Sequence, residues 1–177
     1  AGFARRVGEM GQQVFEDALQ LLKGCPAECD RSCYRCLRSY KNRFEHELLD
    51  RHVGATLLGY LLTGRDPAFS KTRLEASTDR LFCDLERQGL TDVEFSRNAM
   101  VEVPGLGPVE APILATHGDG ELIIGVHSPL TPGYAADEIL REAAEYATAI
   151  PVHLVDEILI TRNLPSASSQ VLAAVGQ

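Results

Sequence analysis

The chain has 177 residues, 45% of them hydrophobic, which is enough to build a core without covalent staples and to fill one large or two small domains. Its five cysteines are an odd number, nothing near the start reads as a signal peptide, and no apolar run nears the roughly 18 residues of a membrane span; this argues against a disulfide-held secreted scaffold or a membrane protein and for a reducing cytoplasm. The formal charge of -8 is uneven: residues 1–73 hold 12 Lys+Arg against 9 Asp+Glu, or +3, and residues 74–177 hold 5 against 16, or -11. An acidic body repels phosphate, so any nucleic-acid contact is expected from the N-terminal part.

In chain order, Val7, Met10, Val14, Ala18, Leu21 and Leu22 recur at three- and four-residue steps and predict one amphipathic helix, stopped by Gly24. After a cysteine-rich segment, Asn42-Arg43-Phe44-Glu45 has the form of a capping box and predicts a second helix with Leu49, Val53, Leu57, Tyr60 and Leu61 on one face. Gly64-Arg65-Asp66-Pro67 ends it, which places subdomain boundaries at 1–68 and 72–177. A third helix is expected over Thr72–Gln88, with Leu74, Leu81, Phe82, Leu85 and Cys83 facing inward and Gly89 closing it.

Beyond Gly89, β-prone runs over Asp92–Val103, Val109–Thr116 and Glu121–Ser128 alternate with glycine-rich turns and predict an antiparallel meander. A helix over Ala135–Ala149 follows, with Asp137 and Glu138 favouring its start, then an apolar strand from Pro151 to Ile160 and a weak terminal helix over Ser166–Val175. The expected fold class is α+β: a zinc-stapled helical subdomain followed by an αβββαβ layer.

The spacing Cys25-x3-Cys29-x3-Cys33-x2-Cys36 lets a chain folding back at Pro26 and Asp30 bring four sulfurs to one tetrahedral ion. Four thiolates fill every position of Zn²⁺ and leave none for a reactive water, so the expected role is structural; an iron-sulfur cluster is the lesser alternative. Arg31, Arg35, Arg38, Lys41 and Arg43 lie within thirteen acid-free residues, interleaved with Tyr34 and Tyr40. That mixture suits phosphate contact plus stacking on an unpaired base, or screening of the two negative charges left on a zinc tetrathiolate. Arg51 is read as an ion-pairing or capping residue, and His46 with Asp50 as a pair on one helix surface.

Together Ala1-Gly2-Phe3-Ala4, Leu21-Leu22-Lys23-Gly24-Cys25-Pro26, Cys33-Tyr34-Arg35-Cys36-Leu37-Arg38-Ser39-Tyr40, Asn42, His46 and Leu49-Asp50-Arg51 resemble the C-terminal zinc-binding domain of MrfA-like and DrmB-like DEAD/DEAH-box helicase proteins. The resemblance covers about the first third of the chain. It implies that Cys25, Cys29, Cys33 and Cys36 are the metal ligands, although the first pair is more widely spaced than in many members. It implies also a piece of a longer protein of DNA repair or antiphage defence. The chain holds no G-x-x-x-x-G-K-[ST] loop, so ATP hydrolysis is expected in another part of that protein.

The order αβββαβ is similar to the core of PD-(D/E)xK nucleases, which hold Mg²⁺ between two carboxylates beside a lysine. Here the second strand offers only Glu110, and the third reads Ile124-Gly125-Val126-His127 where acid-x-Lys is wanted, so a degenerate, binding domain is expected. His117 with Asp119 reads as turn chemistry, and His127 and His153 as satisfied sheet histidines. Three functions remain open: an accessory module binding DNA or a partner subunit, a metal-dependent nuclease with an atypical site, and a protein-interaction platform without a DNA role.

Overall fold

The computed structural model describes residues 2–65, 67, 70–118, 120–130, 138–146 and 150–176. The chain forms two compact units, Ala1–Pro67 and Ala68–Gln177. Among the described residues no helix is long and apolar enough to cross a membrane.

The first unit is helical. The single helix expected over Val7–Leu22 is divided into α1 (Gly2–Met10) and α2 (Gln12–Lys23), because Gly11 adopts φ 56°, a left-handed conformation that interrupts the run. The second predicted start is also wrong. Tyr40–Glu45 forms a short 3₁₀ helix, and α3 spans Arg51–Thr63. Its N-cap is Asp50, whose Oδ1 accepts from the amides of His52 and Val53 at 2.9 and 3.1 Å; Gly64, at φ 68°, ends it in the left-handed region. Helices α2 and α3 pack closely at Gly54, where a Cβ would stand 3.0 Å from Leu22 Cδ1. Among the described residues Leu22 and Cys25 are the buried apolar ones here, whereas Leu57, Tyr60 and Leu61, expected to face inward, are exposed. So little core cannot hold the unit by burial alone.

The second unit begins with α4 (Lys71–Gln88), capped by the Ser70 hydroxyl and ended by Gly89 at φ 58°. Leu74, Leu81 and Leu85 lie inward with Ser77 and Thr78. Cys83 is exposed, which corrects its placement in the core: two positions from both Leu81 and Leu85, it lies about 200° around the helix from each. Strands β1 (Val93–Val103), β2 (Gly107–His117) and β3 (Gly120–His127) form the antiparallel meander. Helix α5 (Glu138–Tyr146) leads to β4 (Val152–Asp156), which pairs parallel to β3 in the order β1-β2-β3-β4. The remaining ends of the helix expected over Ala135–Ala149, with Asp137, lie outside the described residues, as does Asp119.

The strand predicted to run to Ile160 ends at Asp156, whose carboxylate accepts from the Ile158 amide at 2.7 Å and starts α6 (Glu157–Arg162). Helix α7 (Leu164–Val175) closes the unit. The fold is thus mixed α+β with a four-stranded sheet.

Helices α4, α6 and α7 cover one sheet face through Leu81, Leu85, Ile160 and Val171 against Ile113, Leu122, Ile124 and Val155. On the opposite face Leu140 and Ala143 of α5 meet Val101, Val109, Ala111 and Ile123. The β1–β2 hairpin serves both. Phe95 and Ile113 join the first core, yet Val101 and Val109, of the same odd parity, join the second. Both strands switch faces at Asn98, which has φ 50°, opposite Pro112, which has no amide to donate.

A charged pair is buried under the first core. Glu157, 1% exposed, receives Arg73 Nε and Nη2 at 2.9 and 2.8 Å, with Ser77 Oγ at 3.3 Å. The sequence pattern hides it inside an apolar run.

Candidate metal centre

The four-cysteine segment lies between the end of α2 and the start of α3. Gly24 donates its amide to Gln20 O at 2.8 Å, releasing the chain from α2 just before Cys25. Glu28, at φ 45°, turns the chain back so that the three-residue gap still returns Cys29 toward Cys25. The second pair sits on a tighter turn, in which the Cys36, Leu37 and Arg38 amides all reach Cys33 O at 2.9 to 3.1 Å.

Sulfur separations are 3.7 Å for Cys25–Cys29, 3.6 Å for Cys25–Cys33, 3.7 Å for Cys29–Cys36 and 3.8 Å for Cys33–Cys36. All four ligand atoms lie within 4.8 Å of one another. Thiolates placed about 2.3 Å from the centre of a tetrahedron stand about 3.8 Å apart, so the cage has the size for one ion. A disulfide is far shorter, and the cysteines are free. A multi-iron cluster sets several atoms between its thiolates and spreads them more widely. The residues fit a single tetrahedral ion, zinc among them.

Electrostatics point the same way. Backbone hydrogen bonding at Ala27 holds the Cys25 thiol down at about 6, whereas burial, followed by the neighbouring Cys36 sulfur, pushes Cys29 up to about 12. Four sulfurs this close cannot all ionise unless a cation lies between them. The Arg35 amide donates to Cys33 Sγ at 3.3 Å and the Cys33 amide to Cys36 Sγ at 3.2 Å, which fixes the direction in which both sulfurs point.

Arg51 ties this loop to the helices. Its Nε donates to Cys29 O at 2.7 Å and its Nη1 to Leu22 O at 2.9 Å and Lys23 O at 3.4 Å, while its amide reaches Arg31 O at 2.7 Å. One guanidinium therefore caps the last carbonyls of α2 and grips a ligand-bearing residue. Asp50 beside it is buried; it faces Arg31 Nε at 3.7 Å and caps α3, whereas His46 closes the preceding 3₁₀ helix, so the two do not share one helix surface as expected. His46 Nε2 instead meets Ser39 O and Asn42 Oδ1 at 3.0 and 3.1 Å. The sequence signal for Asp50 as the true helix start was its position before Arg51 and an uninterrupted helical run.

The seven basic and aromatic residues singled out from the sequence divide into two groups. Arg31 and Arg38 are half-buried and engaged locally, Arg38 Nε with the buried Ser32 hydroxyl at 2.9 Å. Tyr34, Arg35, Tyr40, Lys41 and Arg43 are exposed. Arg43 lies 4.5 Å from the Tyr40 ring centroid and 4.3 Å from that of Phe44, and the Tyr34 ring meets His46 edge-on at 5.3 Å.

Among the described residues of the second unit no comparable cluster forms. Among the described residues, the four cysteines are the one group of three or more His, Cys, Asp and Glu side chains close enough to share an ion. Glu110 is exposed on β2 opposite Met100. At Gly125, where the nuclease pattern wants an acid, a Cβ would stand 3.0 Å from Leu154 Cδ2 and 3.1 Å from Leu140 Cδ1. His117 Nδ1 contacts Asp92 O at 2.7 Å, and the buried His127 has Nδ1 2.9 Å from Ser128 O. His153 is not satisfied as expected: its buried Nε2 has no partner among the described residues, and burial lowers its pKa.

Fold and site together define a helical unit organised around four clustered cysteines, followed by an α+β unit. The chain is similar to the Druantia protein DruE of Escherichia coli (strain UMEA 4076-1), with 27% identity over 174 residues, 97% of this chain. It spans about 8% of the length of that relative. No family model and no solved structure matches the chain.

Proposed function

We propose that this chain is an accessory module of a larger helicase-like protein of the MrfA-like and DrmB-like kind, serving DNA repair or antiphage defence in the cytoplasm. Zn²⁺ in the four-cysteine cage holds its first unit in shape, and the exposed basic surface beside the cage contacts DNA or a partner subunit. ATP hydrolysis belongs to another part of the protein. The carrying observation is the closed tetrahedron of sulfurs followed directly by an acid-free basic segment. The similarity to a small share of a much longer Druantia protein supports a place within a multi-unit chain. On this reading residues 1–68 and 72–177 are the functional domains.

The second unit is read as a degenerate PD-(D/E)xK core that binds and does not cut. Its αβββαβ order supports the kinship, and the leucines packed against Gly125 support the loss of chemistry, since a carboxylate there has neither room nor partner. A nuclease with an atypical site predicts Mg²⁺- or Mn²⁺-dependent cutting that is lost on Glu110→Ala. A pure protein platform, favoured by the -11 charge of residues 74–177, predicts no salt-sensitive nucleic-acid binding.

Elemental analysis tests the metal, with one zinc per chain expected and iron or no metal contradicting it. For the surface, DNA affinity should fall steeply with salt, and charge reversal at Arg35 and Lys41 should weaken binding and flatten the salt slope. Indifference to both refutes phosphate contact.

A further inference from the structure

We propose that Tyr40 and Phe44, whose rings both meet the Arg43 guanidinium, form a stacking platform for unpaired bases, so that this surface selects single-stranded over duplex nucleic acid. The inference rests on the nucleic-acid reading above and adds Phe44, which the sequence pattern treats as part of a helix cap.

Three observations carry it. Phe44 is 80% exposed and Tyr40 is 74% exposed, so burial in this unit explains neither ring. Arg43 lies within 4.5 Å of both centroids, which restrains the rings while leaving most of their surface open. A restrained aromatic loses less freedom when a base stacks on it. The backbone beneath is also pinned: Asn42 Oδ1 accepts from the Ser39 amide at 2.7 Å, and Asn42 Nδ2 donates to Leu37 O at 2.9 Å.

The surrounding charge selects the occupant. Arg35, Lys41 and Arg43 are exposed in a segment with no acid between residues 31 and 43. Cations beside open ring faces match a phosphate backbone with splayed bases. In a duplex the base faces are already stacked, and only the phosphates remain within reach of this surface.

The chain contains no tryptophan, so Phe44→Trp introduces a single, selectively excitable indole at the platform. The full zinc-loaded chain carrying this change is titrated with an oligothymidylate, the same strand built from abasic residues, and a duplex of equal length. Emission quenched by the oligothymidylate, with weaker quenching and affinity for the other two, is the expected result. Phe44→Ala should lower affinity for the oligothymidylate by roughly five- to a hundredfold, with little change for the abasic strand. Zinc content and circular dichroism identical to the parent show that the variants are folded.

Equal binding of base-bearing and abasic strands, or an unchanged affinity in Phe44→Ala, overturns the platform while leaving phosphate contact intact. Failure of the parent chain to bind any strand at low salt overturns both the platform and the nucleic-acid reading, and leaves the rings to a protein contact.

Discussion

Replacing Arg51 by methionine keeps an unbranched apolar stem and removes the donors. Two short bonds disappear, at 2.7 Å to Cys29 O and 2.9 Å to Leu22 O; the third, at 3.4 Å, adds little. A bond from a charged donor to a partly buried carbonyl is worth about 1.5 kcal/mol at the low end, so the pair amounts to about 3 kcal/mol. With so few buried apolar residues in the unit, folding and metal capture are coupled, and the loss is read as metal affinity. About 3 kcal/mol is roughly a hundredfold weaker zinc binding. The assay is competition with a chromophoric chelator on the purified chain. Arg51→Lys should recover little, because one ammonium lacks the fork that reaches both carbonyls. Zinc affinity within about threefold of the parent in Arg51→Met would refute the argument, since two bonds of even the weakest ordinary kind exceed that.

Metal binding should release protons near neutral pH. Cys29, held up at about 12, must give up a full proton, whereas Cys25, held down at about 6, is already largely ionised. Affinity should therefore rise with pH above about 6 and collapse below it as Cys25 also protonates; calorimetry in buffers of different ionisation enthalpy measures the proton count. A thiol reagent should titrate Cys83 rapidly in the zinc-loaded chain and all five cysteines only after chelation in denaturant. Arg73→Met should destabilise the second unit by about 3–5 kcal/mol in urea unfolding by leaving Glu157 charged and unpaired, and the double change with Glu157→Leu should recover most of that loss. Restoring the acid-x-Lys pattern with Gly125→Glu and His127→Lys should yield no Mg²⁺-dependent cutting and a lower melting temperature, because the new carboxylate enters the contact of Leu140 and Leu154.

Where the sequence carried a local physical signal, the structure follows it. The cysteine spacing, the left-handed Gly89 after α4 and the glycine turns of the meander are each set within a few residues. The failures occur where distant contacts decide. The capping-box form of Asn42-Arg43-Phe44-Glu45 placed the start of α3 near Asn42, but Asn42 is committed to the Ser39 amide, and the cap passes to Asp50. Period also placed Leu57, Tyr60 and Leu61 inward, although all three are exposed. The run through Ile160 read as one strand because an acidic pair, Asp156 and Glu157, looks alike whether it interrupts a strand or caps a helix and receives an arginine from 84 residues away. Arg51 was legible as structural, while its three carbonyl partners were not.

The crossing at Asn98 and Pro112 has a mechanical consequence. Because one ribbon contributes side chains to both sides of the sheet, neither side can loosen without dragging the other through the shared strands. The amides of Val101 and Ile113, packed in different cores, should exchange with solvent deuterium at the same slow rate, as parts of a single cooperative body.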